Sequence, residues 1–177
     1  KWIAESLSGD RIGLMVFAGD AFLLCPLTND IGAFMMFLDS AGPDSVNIQG
    51  TDIGVMLSEA AKVYAKKRLT SKILVVITDG EDHEGGADAG IEKFRELGVS
   101  VYAAGIGRES GDFIPAGGDD SVADAFYRDR EGNLVKTRQD QELLKKLATE
   151  TGGSYCDITG NFSGLNNIIN VIKKQQR

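Results

Sequence analysis

Apolar residues recur along this chain in two rhythms. Five in a row, Ile73 to Ile77, stop at Thr78-Asp79-Gly80-Glu81-Asp82, the pattern of a strand buried on both faces of a parallel sheet. Burying five such side chains contributes about 8–15 kcal/mol before conformational entropy is subtracted, which predicts an interior strand rather than an edge. Arg11 to Ala18 and Ala21 to Leu27 read as two further strands. Only Gly19-Asp20 separates them, which predicts a tight hairpin with glycine available for a positive φ. Pro26 suits an edge strand. Val99 to Ala104 and Ser154 to Ile158 complete the strand-like runs.

Helical spacing fills the intervals. Lys1 to Leu7 reads as a short helical tail. Asn29-Asp30 can cap a helix over Ile31 to Asp39 whose Phe34, Phe37 and Leu38 share a face. Ile53, Leu57, Ala60, Ala61 and Tyr64 keep helical spacing from about Asp52 to Arg68. Ala87 to Leu97, a helix from Asp140 to about Thr151, and a last one carrying Leu165, Ile168, Ile169 and Ile172 follow. This alternation predicts an α/β fold, a mostly parallel sheet with one antiparallel edge strand and helices on both faces. Residues 109–138 are long for a connection. Inside them AFYRDREGNLVKTR alternates on either side of Glu131-Gly132-Asn133, which predicts a β-hairpin.

Composition narrows the function classes. The 177 residues fit one domain, 1–177, with 109–138 as an insertion. Nineteen basic residues against 26 acidic give a net charge of −7, which argues against a nucleic-acid surface. The apolar runs are far shorter than a membrane span, so the polypeptide reads as soluble. The opening KWIAESLSGD reads as the end of a helix already under way, hence a fragment. Cys25 and Cys156 form no CxxC pair and read as buried free thiols.

Three polar sites follow apolar elements: Thr51, Asp79 and Gly105-Ile106-Gly107. Thr51 can be a helix cap, and Asp79 can be a solvated acidic turn or a ligand at the carboxyl end of a parallel strand. The glycine pair lacks the third glycine and the helix of a dinucleotide fingerprint. His83 is the single histidine, which excludes a multi-His metal site. No GxSxG or Walker A pattern occurs.

GDRIGLMVFAGDAFLLCPLT, QGTDIGVMLSEA and KILVVITDGEDHEGG, in this order, resemble a von Willebrand factor A domain. With YRDREGNLVKTR and LLKKLATETGGSY, the chain is most similar to the bacterial aerotolerance (Bat-type) proteins of that family. The resemblance implies a Rossmann-like sheet with a divalent cation, usually Mg²⁺, in a metal-ion-dependent adhesion site. Such a cation is held by an Asp-x-Ser-x-Ser loop, a Thr and an Asp. Thr51 and Asp79 match the last two. No Asp-x-Ser-x-Ser occurs here, so the central first strand and its metal loop are missing, and these residues alone bind metal weakly or not at all.

The function so implied is a non-enzymatic protein-binding module that engages a partner carboxylate through the metal. The partner surface would include Glu81, Asp82 and His83 together with Phe126, Tyr127 and Arg128 of the hairpin. The whole protein would be anchored in the bacterial inner membrane, this part lying on the periplasmic side. Two other readings stand beside it. One is a metal-dependent hydrolase or phosphotransferase using Asp79 with Glu81 or Asp82; the other is a metal-independent structural interaction domain. The family's strand order places Cys25 and Cys156 at opposite sheet edges, too far apart for a disulfide. It also leaves a gap between the strand at Arg11 to Ala18 and the one at Lys72 to Thr78. That gap must close by direct pairing or be filled by a second polypeptide, an upstream segment or a neighbouring copy.

Overall fold

The computed structural model describes residues 1–177 except 8, 43–44, 47, 49, 66–70, 83–84, 114–125, 129–130 and 176–177. Strand β1 (Ile12–Phe17) pairs antiparallel with β2 (Ala21–Thr28), Phe17 opposite Ala21 and Ile12 opposite Thr28. Strands β3 (Ile73–Thr78), β4 (Ser100–Gly105) and β7 (Tyr155–Asp157) form a parallel sheet in the order β3-β4-β7. A third, small pair joins β5 (Asp112–Phe113) to β6 (Lys136–Thr137). The helices are α1 (Trp2–Ser6), α2 (Ile31–Ser40), α3 (Ile53–Ala65), α4 (Ala87–Leu97), α5 (Gln141–Glu150) and α6 (Ser163–Gln175). The α/β fold is therefore as the sequence pattern predicts, with a parallel sheet, helices, and the antiparallel pairs β1–β2 and β5–β6.

The two-residue periodicity of the strands sorts their side chains between two helical layers. Leu74 and Val76 of β3 join Met15 and Phe17 of β1 against Ile53, Met56, Leu57 and Phe94 of α3 and α4. Ile73 and Val75 point the other way, into a cluster with Ile3 of α1, with Leu7 just after that helix, and with Ile168, Ile169 and Ile172 of α6. The apolar stripe expected on α3 is buried in full, from Ile53 to Tyr64. On α2 the stripe turns slightly: Phe34 is buried, Met35 and Leu38 pack beside it, and Phe37 is 41% exposed.

Two expectations need correction. The β1–β2 connection is three residues long, not two, and Gly19 has no positive φ. Ala18 N–H donates to the Asp20 carbonyl at 2.8 Å and Ala21 N–H to Asp20 Oδ1 at 2.7 Å, so an aspartate closes the turn without it. The second correction is larger. Strand β3 is not buried on both faces; it lies at the edge of its sheet, Ile73 to Val75 are half-buried and Ile77 is 49% exposed.

The reason is a slot. Among the described residues β1 and β3 share no ladder, and a cavity of about 950 Å³ lies between them, covered by Ile3 of α1 and the following Leu7 on one side and α3 residues such as Met56 and Tyr64 on the other. A strand rising about 3.3 Å per residue, about 4.8 Å from its neighbour and about 10 Å thick through its packing layers, fills roughly 950 Å³ over six residues. The slot has room for an extended strand. The sheet has not closed up by direct pairing.

Cys25 on β2 and Cys156 on β7 belong to different sheets and are both free thiols. Burial raises the pKa of each above the ordinary thiol value.

Tyr64 fastens α3 to the edge of β3: its hydroxyl donates to the Ile73 carbonyl at 2.6 Å, and its ring meets Phe94 edge-on at 6.0 Å. Burial pushes the phenol pKa up to about 12, above the roughly 10 of an unfolded tyrosine. The stability this supplies is complete below about pH 10 and lost as pH rises towards 12, on the order of 2–3 kcal/mol. Chemical denaturation at stepped alkaline pH should show that fall, and Tyr64→Phe should make it shallower after losing about 1 kcal/mol at neutral pH.

Candidate metal-ion site at the carboxyl ends of the strands

Asp79 follows the last residue of β3. The chain turns sharply beside it because Gly80 adopts φ +83°, where a Cβ would stand 2.7 Å from the Asp140 carbonyl oxygen and 2.8 Å from Leu144 Cγ. Only glycine fits there. The turn is anchored by Asp140 N–H, which donates to the Asp79 carbonyl at 2.8 Å. The half-buried carboxylate has unequal oxygens. Oδ2 accepts from the Thr137 hydroxyl at 2.8 Å, while Oδ1 takes two longer contacts, from Glu81 N–H at 3.3 Å and the Thr78 hydroxyl at 3.4 Å.

The loop of Thr51 is brought to the same end of the molecule. Asp52 N–H donates to the Ala18 carbonyl at 2.9 Å, setting this loop against the β1–β2 turn. The cap of α3 is Asp52, whose Oδ1 accepts from Val55 N–H at 2.8 Å. Thr51 precedes the cap; it is half-buried and makes no hydrogen bond among the described residues. Asp82 Oδ1 accepts from Ile53 N–H at 3.2 Å, so a second carboxylate meets the positive end of α3 and ties the Thr51 loop to the Asp79 loop.

The other predicted residues divide into three groups. Glu81 is beside Asp79: its Oε2 lies 2.9 Å from the same Thr137 hydroxyl, whose single proton the two carboxylates share, and its Oε1 accepts from Arg138 N–H at 3.0 Å. Asp82 is turned to α3 as described. Phe126, Tyr127 and Arg128 lie on the hairpin, confirmed by the Arg128–Leu134 bridge and by Val135 N–H donating to the Tyr127 carbonyl at 2.9 Å. Phe126 packs on Phe113 at 5.7 Å, Tyr127 is 56% exposed, and the Arg128 guanidinium donates to the Gly132 carbonyl at 2.8 Å across its own turn. His83 lies outside the described residues.

The Gly105-Ile106-Gly107 segment is a packing device. A Cβ on Gly105 would meet Gln139 Nε2 at 2.2 Å, and Gly107 is held at both its N–H and its carbonyl by the Thr159 hydroxyl. Thr159 N–H also donates to Asp157, holding that carboxyl below its usual range. The segment leads to β5, not to a helix, so the phosphate-binding reading does not apply.

Every candidate donor at this corner is oxygen, the chemistry of a hard divalent cation. Among the described residues no group of three His, Cys, Asp or Glu side chains converges to hold one. The corner fits such an ion in kind. Thr137 is the residue that sequence reasoning did not single out; its contacts span 58 and 56 positions of sequence, and no local pattern marks it.

Known proteins share this architecture. The von Willebrand factor type A domain matches residues 3–171. BatB from Bacteroides thetaiotaomicron is 33% identical with a TM-score of 0.86, over 98% of this chain and 82% of that one. An aerotolerance-related membrane protein from Bacteroides fragilis is 36% identical with a TM-score of 0.86, over 97% of this chain and 83% of that one. Proximal thread matrix protein 1 from the mussel byssus, in a form with a zinc-occupied MIDAS motif, shares the fold at a TM-score of 0.65 and 17% identity, over 98% of this chain and 38% of that one. A protein of Borreliella burgdorferi is 29% identical over 159 residues, 87% of this chain; the chain spans 43% of that relative's length.

The geometry separates a structural aspartate from its neighbouring threonine. Asp52→Ala should cost about 0.5–2 kcal/mol by loss of the cap, whereas Thr51→Ala should stay within about 0.5 kcal/mol of the parent. Urea denaturation of the two variants checks the ranking.

Proposed function

This chain belongs to the von Willebrand factor type A family, and we propose that it is a non-enzymatic protein-binding module that engages a carboxylate of its partner through a divalent cation, Mg²⁺ in the simplest case. The observation that carries the reading is the corner itself: Asp79 at the carboxyl end of β3, with the Thr51 loop tied to it through the Asp82–Ile53 hydrogen bond. When bound, the cation supplies the attraction for a carboxylate that displaces one of its waters. The chain's own part is to present Asp79 Oδ1 and the Thr51 hydroxyl as ligands and to keep their loops in register. Residues 1–177 then act as one domain, with 109–138 as an insertion presenting Phe126 and Tyr127 to the partner.

Two ligands are few for an ion that gives up water reluctantly. The remaining ones come, in this reading, with a six-residue strand that fills the slot between β1 and β3. Its source is polypeptide outside these 177 residues. The apolar extended segments described here are already engaged in the sheets, so a neighbouring copy would have to give up one of its own. Among the described residues no helix is long and apolar enough to cross a membrane. A relative that is an aerotolerance-related membrane protein supports a whole protein anchored in a bacterial membrane; in this reading the present part lies on the periplasmic side.

Calorimetric titration with Mg²⁺ tests the reading. The 177-residue chain alone should show no binding at sub-millimolar metal. The longer protein should bind, Asp79→Ala should abolish that binding, and removing metal with a chelator should release a captured carboxylate-bearing partner. Tight binding by the 177 residues alone, or a longer protein indifferent to Asp79→Ala, would contradict it.

A further inference from the structure

Thr137 belongs to β6, at the end of the insertion, yet it reaches back to both acidic residues of the β3 loop. Its hydroxyl stands 2.8 Å from Asp79 Oδ2 and 2.9 Å from Glu81 Oε2. The surrounding backbone leaves that hydroxyl little freedom. Asp112 is its partner across the β5–β6 pair, and the next residue, Arg138, grips Glu81 through its N–H at 3.0 Å. Gln139 N–H then donates to the Arg108 carbonyl at 3.1 Å and Asp140 N–H to the Asp79 carbonyl at 2.8 Å. A β-branched side chain on a backbone so fixed has a stiff χ1, whereas the terminal torsion of an aspartate is broad. Thr137 is the rigid member of the pair and Asp79 the one that needs orienting.

The hydroxyl also carries one proton, and it faces two carboxylates. It donates to one of them at a time, and the other oxygen then faces its lone pairs. Such a trio is favoured when additional positive charge is close by. With Oδ2 facing the Thr137 hydroxyl, Oδ1, which has only the longer contacts, is the oxygen left to take a ligand.

We propose that Thr137 is a positioning residue: it sets the carboxylate of Asp79, with Glu81 beside it, so that the insertion governs how tightly the corner holds its divalent cation. This rests on the cation reading given under Proposed function. It deepens that reading by making the insertion a determinant of the metal site and not only a surface for the partner. An outer hydrogen-bond partner of a metal-binding carboxylate typically changes affinity by about 10- to 100-fold.

Thr137→Val removes the hydroxyl at constant shape, and Thr137→Ser restores it. In the longer protein, titrated with Mg²⁺ alone, the valine variant should bind about 10- to 100-fold more weakly and the serine variant within about threefold of the parent, with melting temperatures that do not follow the same order. A second readout needs no metal: in the 177-residue chain, the amides of Gly80 and Glu81 should exchange faster in the valine variant than in the parent or the serine variant. Valine binding as tightly as the parent, or serine failing as badly as valine, overturns the proposal. A parent protein that takes up no metal overturns the cation reading instead. Unchanged exchange at Gly80 and Glu81 in the valine variant then overturns the positioning role as well.

Discussion

Backbone groups on the edge of a sheet must be paired, covered or wetted, and β1 and β3 turn such edges to one slot. Two facing edges of about six residues carry on the order of ten unpaired groups, each costing about 1–3 kcal/mol if buried dry. That sum rivals the net stability of a whole domain, about 5–15 kcal/mol. The chain leaves the slot open to water instead, and the cost appears as exposed apolar surface, most plainly at Ile77. Closing the slot would move β1 by about 4.8 Å. The two helical covers oppose that shift, because each packs on both halves. Ile3 of α1 and the following Leu7 sit with Ile73 and Val75, while Ala4 of α1 sits with Cys25 and Phe34. In the other layer Met56 and Tyr64 of α3 share a cluster with both Met15 and Val76.

The same constraint organises the candidate site. The Thr51 loop is fixed to the β1 half through Ala18 and Asp52, and to the β3 half through Asp82. A strand entering the slot would end between them, at the corner where Asp79 stands. The insertion closes the third side, through Thr137 and Arg138 on Asp79 and Glu81. Fold completion and the geometry of this corner are thus parts of one requirement.

Much of this was legible in the residues. Local patterns settle early: Ala87–Leu97 has the bounds expected of it because Gly98, at φ +64°, ends the helix in the left-handed region. Leu165, Ile168, Ile169 and Ile172 are buried as their spacing demands. The hairpin around Glu131-Gly132-Asn133 pairs as its alternation foretells. Burial of Ile73 to Ile77 did not follow, because that run carries the composition of an interior strand while one of its edges has no ladder partner among the described residues. At the site, Asp79 could be found from its place after an apolar run. Thr51 reads as a candidate cap of α3, but the hydrogen bond from Val55 N–H goes to the adjacent Asp52, which is the cap instead. Thr137 was beyond reach, since its meaning lies in partners more than fifty positions away.

The account stands or falls on the slot. Native-state amide hydrogen exchange on the 177-residue chain, read residue by residue, measures it directly. Open edges predict that the amides of β1 and β3 facing the slot exchange far faster than those of β4, which is paired on both sides, and that they slow to match β4 in the longer protein. Slow exchange along both edges in the 177-residue chain as a monomer would mean that β1 and β3 pair with each other, and would contradict the account.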